Sequence, residues 1–346
     1  MELKKNIKDF TLEELESYII QNKLPKFRAG QIFEWVYKDV ESFDQMTNLS
    51  KDLISKLKED LYIGRAEIEV KLVSNEDKTR KYLLKLEDGN AVECVLMEYS
   101  YGKTLCISTQ VGCRMDCAFC ASAIGGLTRH MTSGEMLEEV MIVSRDIGER
   151  ISNIVLMGTG EPFDNYNEVI KFLRTVNNQK GMNVGQRHIT ISTSGIVPKI
   201  LEFAEEEFQC TLAISLHAAD NSTRNTLMPI NKKYKIEDLI DACKKYIKRT
   251  NRRITFEYAL IKGINDSEES AYKLFKLLRG MLCHVNLISI NKVEEKVFEK
   301  ASKTTVDKFK SILESNGIEV TLRRELGSDI NAACGQLRKQ YGSEEK

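Results

Sequence analysis

Gly112-Cys113-Arg114-Met115-Asp116-Cys117-Ala118-Phe119-Cys120 places three cysteines in one short loop, directly after the strand-like run Thr104-Leu105-Cys106-Ile107-Ser108-Thr109. The spacing C-x3-C-x2-C offers three thiolates to one compact centre and no fourth. A four-iron cluster takes four ligands, usually all cysteine, so three protein ligands leave one iron open to a small molecule. Structural zinc fits less well, because it closes its tetrahedron with a second Cys or His pair downstream, and no such pair follows. Three buried core cysteines are the ordinary alternative, but cysteines seldom cluster three-deep beside a glycine.

At 346 residues the chain exceeds a usual single domain, which suggests one large domain with a small one attached. A hydrophobic share of 42% suffices for a sizeable core. The longest apolar stretches are strand-length, far short of the roughly 20 residues of a membrane span. Met1-Glu2-Leu3-Lys4-Lys5-Asn6 lacks the apolar segment of a signal peptide, so a cytoplasmic protein with no membrane partner is expected. Nine cysteines are an odd number, and in a reducing compartment they read as metal ligands, catalytic thiols or core residues. Cys210, Cys243 and Cys283 sit in apolar or helical settings and are expected in the core. A formal net charge of +0 argues against an RNA partner held by overall basicity. Any RNA contact must come from local clusters: Lys23, Lys26 and Arg28; Lys232 and Lys233; Arg323 and Arg324; or Arg338 and Lys339. Each of these is more often a solvated face.

From Thr11 to about Leu61 the pattern is helical, opening on the capping-box-like Thr11-Leu12-Glu13-Glu14, so a small helical module is expected over residues 1–65. Alternating runs at Lys81 to Leu86 and Ala91 to Leu96, joined by Asp88-Gly89-Asn90, predict a β-hairpin linker over residues 66–98. Strands then alternate with amphipathic helices: 105–109, 154–157, 188–192, 212–216, 254–260 and 285–290, with a last strand at 318–323 after a helix over 305–315. Cys106 and Cys113 are expected on the same strand. Six βα units with short loops imply parallel strands and right-handed crossovers. A closed eight-unit barrel needs more residues. The expected fold class is therefore α/β, an open partial (β/α)6 barrel over 99–328, with 329–346 as a tail. Functional groups of such folds sit at the carboxyl ends of the strands. Gly158-Thr159-Gly160-Glu161-Pro162, Ser192-Thr193-Ser194-Gly195, Ser215-Leu216-His217 and Asn291 each follow a predicted strand.

The cysteine spacing, with Phe119 ahead of the third thiol, resembles that of the radical S-adenosylmethionine (SAM) enzymes. Gly327-Ser328-Asp329-Ile330-Asn331-Ala332-Ala333-Cys334-Gly335-Gln336-Leu337, taken with Cys106 and the cluster cysteines, narrows the likeness. From Thr11 to about Leu337 the chain resembles the radical SAM RNA methyltransferases that act on adenine, the RlmN/Cfr family. The resemblance implies a barrel of the radical SAM type and a [4Fe-4S] cluster held by Cys113, Cys117 and Cys120. SAM would chelate the open iron, with further SAM contacts from Gly160, Glu161, Ser192, Ser215, Leu216, His217 and Asn291. One branch of the family methylates adenine carbon 2 and the other carbon 8, the latter conferring antibiotic resistance. Gly160-Glu161-Pro162 and Ser192-Thr193-Ser194-Gly195 look like the carbon 2 branch. Two departures, Asn291-Lys292 in place of the more usual Asn-Pro and Cys94 where Thr or Ser is common, remove no functional side chain.

Carbon 2 lies between two ring nitrogens and is electron-poor, so it cannot attack the SAM methyl group itself. The resemblance implies a detour in which the Cys334 thiolate first takes a methyl group from one SAM. A second SAM, cleaved by one electron from the cluster, yields a 5′-deoxyadenosyl radical that takes a hydrogen from this S-methyl group. The methylene radical adds to carbon 2, which joins protein to RNA. Glu93 then accepts the carbon 2 proton, and Cys106 attacks the Cys334 sulfur, leaving a disulfide and methylated RNA. The implied substrates are 23S rRNA at adenosine 2503 in the peptidyl-transferase centre and tRNAs at adenosine 37. A reductant protein such as flavodoxin or ferredoxin and a monomeric state are implied as well. The target base must leave its stack, at roughly a few kcal/mol, and the helical module with Lys26, Arg28 and Trp35 is a candidate RNA grip. Two other readings stay open at this point: a carbon 8 methyltransferase, and a non-catalytic iron-sulfur redox protein.

Overall fold

The computed structural model describes residues 4–290 and 298–332. The chain opens with β1 (Lys5–Asn6), α1 (Leu12–Gln21), α2 (Phe27–Tyr37), α3 (Lys51–Asp60) and β2 (Leu61–Tyr62), which pairs with β1. Thr11 starts α1 through a reciprocal cap, its hydroxyl accepting from the Glu14 amide at 3.2 Å while its own amide donates to the Glu14 carboxylate at 2.9 Å. Apolar residues at helical spacing (Leu15 and Ile19; Ile32, Phe33 and Val36; Leu53 and Leu57) bury one stripe of each helix in a small separate core.

Three antiparallel strands follow, β3 (Glu67–Val73), β4 (Arg80–Lys85) and β5 (Ala91–Tyr99), and β5 pairs with β6 (Gly102–Cys106). A hairpin of β7 (Gln110–Gly112) and β8 (Leu127–His130) stands apart from the main sheet. Next come α4 (Ser133–Ile147), β9 (Asn153–Leu156), α5 (Tyr166–Asn177), β10 (Ile189–Thr193), α6 (Val197–Glu205), β11 (Thr211–Ser215), α7 (Asn221–Leu227) and α8 (Ile236–Thr250). The last elements are β12 (Ile254–Leu260), α9 (Glu268–Leu278), β13 (Cys283–Ser289), α10 (Lys303–Ser315) and β14 (Glu319–Leu322). The sheet order is β3-β4-β5-β6-β9-β10-β11-β12-β13-β14, and every pairing from β6 to β14 is parallel. Each parallel strand lies beside its successor, so the sheet winds one way and stays open between β3 and β14. This is the expected α/β partial barrel, with the expected hairpin residues extending the same sheet.

Side chains alternate across it. Leu105, Ile154, Leu156, Ile191, Ile214, Phe256, Val285 and Leu287 point to the helices and are at most 1% exposed. The neighbouring positions, including Cys106, Ser192, Ser215, Glu257 and Asn286, line the other face. Cys94, Cys210, Cys243 and Cys283 fall in the helix-side core.

One expectation fails. Strand β6 stops at Cys106, and Cys113 lies in the loop just after β7, so the two cysteines do not share a strand. Past Cys106 the Ile107 amide still donates to the Val155 carbonyl of β9 at 3.0 Å, and the Thr109 amide then donates to the Thr159 carbonyl in the loop after β9 at 2.9 Å. Gly112 then redirects the chain at φ +80.

The helical module is fastened to α4 by a buried ion pair, Lys8 with Glu138, and by the Gly134 amide donating to the Asp9 carboxylate at 2.9 Å. Removing one partner from such a buried pair costs about 3–5 kcal/mol. No helix of the described residues is long and apolar enough to cross a membrane.

Candidate active site

The cysteine loop hangs between β7 and β8. A Cβ at Gly112 would lie 2.0 Å from the Gly126 carbonyl oxygen, so only glycine allows this crossing. The loop is pinned by amide bonds from Cys113 to the Gly126 carbonyl, 3.1 Å, and from Ala118 to the Leu227 carbonyl, 2.9 Å. Arg114 grips Asp164 with two bonds of 2.8 and 2.6 Å, and Gln110 donates to the same carboxylate at 2.8 Å. These contacts tie the cysteine loop to the loop after β9.

Cys113, Cys117 and Cys120 line one cavity at the carboxyl ends of the strands, together with Gly160, Glu161, Ser192, Ser215 and His217. With its mouth the cavity holds about 1040 Å³ of open space. Burial pushes the Cys113 thiol up to about 12, and burial together with the two neighbouring cysteines pushes Cys117 far up as well. Thiols so placed resist ionising without a cation to receive them, and metal binding deprotonates them. Among the described residues no three of His, Cys, Asp or Glu are gathered for a single metal ion. Three cysteines at C-x3-C-x2-C spacing on one cavity suit an iron-sulfur cluster with one iron left open.

Glu161 is buried and its carboxyl is spent on the loop itself, accepting from the Ser194 amide at 2.6 Å and the Phe163 amide at 2.9 Å. Burial raises it, and these bonds oppose the rise. What the loop presents to the cavity is backbone: Gly160 sits at φ +117, and a Cβ there would meet the Thr109 hydroxyl at 2.7 Å. Ser192 and Ser215 face each other with hydroxyls 3.4 Å apart. The His217 Nδ1 accepts from the Ala259 amide at 3.0 Å, which leaves the proton on Nε2. Burial first and Arg224 second lower His217 to about 3, so it is a neutral imidazole, set edge-on to Phe119 at 4.8 Å. Leu216 is wholly buried and does not line the cavity; its carbonyl accepts from Arg224 Nε at 3.1 Å. Asn291 and Cys334 lie outside the described residues.

Neither Cys106 nor Glu93 is in the cavity wall, and Cys106 is joined to it through Met157. Cys106 packs with Val95, Met97, Leu326 and Ala332, and with Met157, which also lines the cavity. Glu93 is 3% exposed, two positions before Val95 on the same face of β5, and forms an ion pair with Lys81 at 2.7 Å. The described tail thus enters this patch at Ala332, two residues before Cys334 in sequence.

Three further residues have no signal in the sequence. Arg224 is fully buried and clamps the ends of β10 and β11, donating to the carbonyls of Ser194, 2.6 Å, and Ser215, 3.1 Å; burial lowers it to about 10. Glu257 lines the cavity, held by Asn286 at 2.9 Å. The third is Lys81. Charged residues on α7, β12 and β4 look like solvated positions until the strands are assembled.

Residues 107–275 match the model of the Radical SAM superfamily, and residues 5–63 match that of the Ribosomal RNA large subunit methyltransferase N-terminal domain. The chain is 57% identical over 338 residues to the "Probable dual-specificity RNA methyltransferase RlmN" of Clostridium perfringens (strain SM101 / Type A), covering 97% of each. A protein of the same description from Thermoanaerobacter sp. (strain X514) is 57% identical over 337 residues, with 97% of this chain and 98% of that one covered. The crystal structure of a radical SAM methyltransferase from Sphaerobacter thermophilus superposes with a TM-score of 0.91 at 43% identity, covering 97% of this chain and 100% of that one. With an open barrel, a three-cysteine loop at its mouth and these relatives over nearly its whole length, the chain belongs to the RlmN family, SAM-dependent RNA methyltransferases of the radical SAM type.

Proposed function

We propose that the protein methylates carbon 2 of adenine in 23S rRNA and in tRNA, with Cys334 carrying the methyl group, Glu93 accepting the carbon 2 proton and Cys106 releasing the product. The observation that carries this reading is the meeting of Glu93, Cys106 and the start of the C-terminal tail beside the cysteine-lined cavity. Cys113, Cys117 and Cys120 would hold a [4Fe-4S] cluster, and Gly160, Glu161, Ser192, Ser215, His217, the Leu216 backbone and Asn291 would hold SAM. When bound, cluster and SAM supply an electron and a carbon radical. Two SAM molecules are consumed in each turnover, one for the thiol and one for the radical.

The chain's own residues do the rest. The Cys334 thiolate takes the methyl group from SAM, with S-adenosylhomocysteine leaving, and its sulfur later bridges through one carbon to the adenine. Glu93, nearly buried and held by Lys81, takes the proton from carbon 2, and the unpaired electron of the adduct would return to the cluster that supplied one at the start. Cys106 then attacks the Cys334 sulfur, so that an S–S bond forms as the S–C bond breaks, and the departing carbon picks up a proton as the new methyl group. The apolar patch around Cys106 keeps water from competing for the adduct. The electron donor is a small reductant protein, and the chain acts as a cytoplasmic monomer.

Loss of Cys106 tests this directly. Cys106→Ala should still carry a methyl group on Cys334 and still cleave SAM, but denaturing gels should show a slow, RNase-sensitive protein-RNA band. Release of methylated RNA at the normal rate, with no band, would remove Cys106 from the reaction.

A further inference from the structure

Lys81 of β4 makes two contacts that join separate parts of the chain. Its Nζ lies 2.7 Å from Glu93 Oε1, and donates to the Asn331 carbonyl at 3.3 Å. Its side chain is only 13% exposed and that of Glu93 4%. Strand register explains the first contact: Lys81 is opposite Val95 and Leu83 is opposite Glu93, so Lys81 and Glu93 are diagonal neighbours on one face. The next residue on β5, Cys94, turns into the helix-side core and cannot compete for this position.

The second contact is the last in a series that lays the tail along the β3–β4 turn. The Gly327 amide donates to the Asp77 carboxylate at 2.9 Å, and the Asn75 amide to the Asp329 carboxylate at 3.0 Å. Those two anchor the tail at the turn, away from the site. Lys81 differs from them in joining the tail to Glu93, a residue of the proposed chemistry. Asn331 precedes Cys334 by three residues, a tether of at most about 11 Å.

A nearly buried carboxylate needs a counter-charge and fixed hydrogen bonds, because losing either leaves an uncompensated charge away from water. An ammonium carries three donors, enough for a carboxylate and a carbonyl together. We propose that Lys81 is a positioning residue, which holds the Glu93 carboxylate where the carbon 2 proton must go and fastens the tail at Asn331, three residues before Cys334. This rests on the function proposed above. The lysine itself touches neither SAM nor the base; its effect passes through Glu93 and the Asn331 carbonyl. Proton removal and tail placement are thereby set by one side chain.

The test follows the protein-RNA adduct on denaturing gels over time in Lys81→Met, which keeps the length of the stem and loses the charge. Iron content and the methyl group on Cys334 should match the wild type, while adduct discharge slows by roughly tenfold to a hundredfold, a fraction of what a full acid-base group contributes. Lys81→Arg, which restores the charge, should recover part of the rate. In the Glu93→Gln background, adding Lys81→Met should slow discharge far less than it does in the wild-type background, since only the hold on the tail is then left to lose. Wild-type discharge in Lys81→Met, or independent multiplication of the two effects, would overturn the proposal. If Lys81→Met fails to fold, the Lys81→Gln variant is read in the same way. Absence of any adduct in Cys106→Ala defeats the functional reading, and the role of Lys81 falls with it; a normal adduct in Cys106→Ala with no effect at Lys81 defeats the lysine alone.

Discussion

At the scale of single residues, burial does most of the chemical tuning. His217 is held neutral by the apolar wall, by Arg224 and by the Ala259 amide that occupies its Nδ1. Its folded value of about 3 lies below the unfolded value near 6.5. Between those limits the unfolded chain binds a proton that the folded chain refuses, so stability is present above about pH 6.5 and is lost as the pH falls toward 3, by at most about 1.4 kcal/mol per pH unit. Asn tolerates the left-handed backbone that His217 adopts at φ +53 and does not titrate. Denaturant unfolding at pH 7 and pH 5 should therefore show a shallower loss for His217→Asn than for the wild type; identical slopes would mean that the imidazole is protonated in the folded state. The cluster cysteines, the Gly160-Glu161 turn and the strand-end serines are legible from spacing alone, because each is locally encoded. Lys81, Arg224 and Glu257 are not, because their burial is decided by strands far apart in sequence.

At the scale of elements, the cysteine loop depends on a backbone crossing and not on its thiols alone. Gly112 sits in the left-handed region, and the space where a Cβ would stand is filled by the Gly126 carbonyl. Gly112→Ala should cost roughly 1–3 kcal/mol in local strain and should strip most of the iron from purified protein, measured as iron per chain and visible absorbance. Full iron content at wild-type stability would show that the loop forms without that crossing. The same element shows where sequence reading stops. The run from Thr104 to Thr109 reads as one strand because its residues alternate and favour extended backbone, yet pairing ends at Cys106. Whether an extended segment joins a ladder depends on which neighbour offers hydrogen bonds, and past Ile107, whose amide still meets Val155 of β9, the Thr109 amide meets Thr159 in the loop after β9. Strands β9 to β14 are predicted to within two residues at either end, since helix-side apolar positions recur at period two in each.

At the scale of the whole molecule, an open barrel leaves a gap between its edge strands, and the described tail runs from β14 back to the β3–β4 turn, packing Leu326 and Ala332 beside Cys106. The sheet thus supplies the cavity, the antiparallel strands supply Glu93 and Lys81, and in the proposed reaction the tail would supply the methyl carrier. Nothing in the composition demands this assembly; it follows from the parallel order of the sheet. The route through Cys334 makes a claim about hydrogens that direct methyl transfer does not. When the reaction is run with SAM bearing a fully deuterated methyl group and the RNA is digested and weighed by mass spectrometry, 2-methyladenosine should retain all but one of those deuteriums, the missing one having been lost when the S-methyl group became a methylene bridge. A product that keeps the deuterated methyl group intact, or that carries the methyl group on carbon 8, would contradict the proposed chemistry.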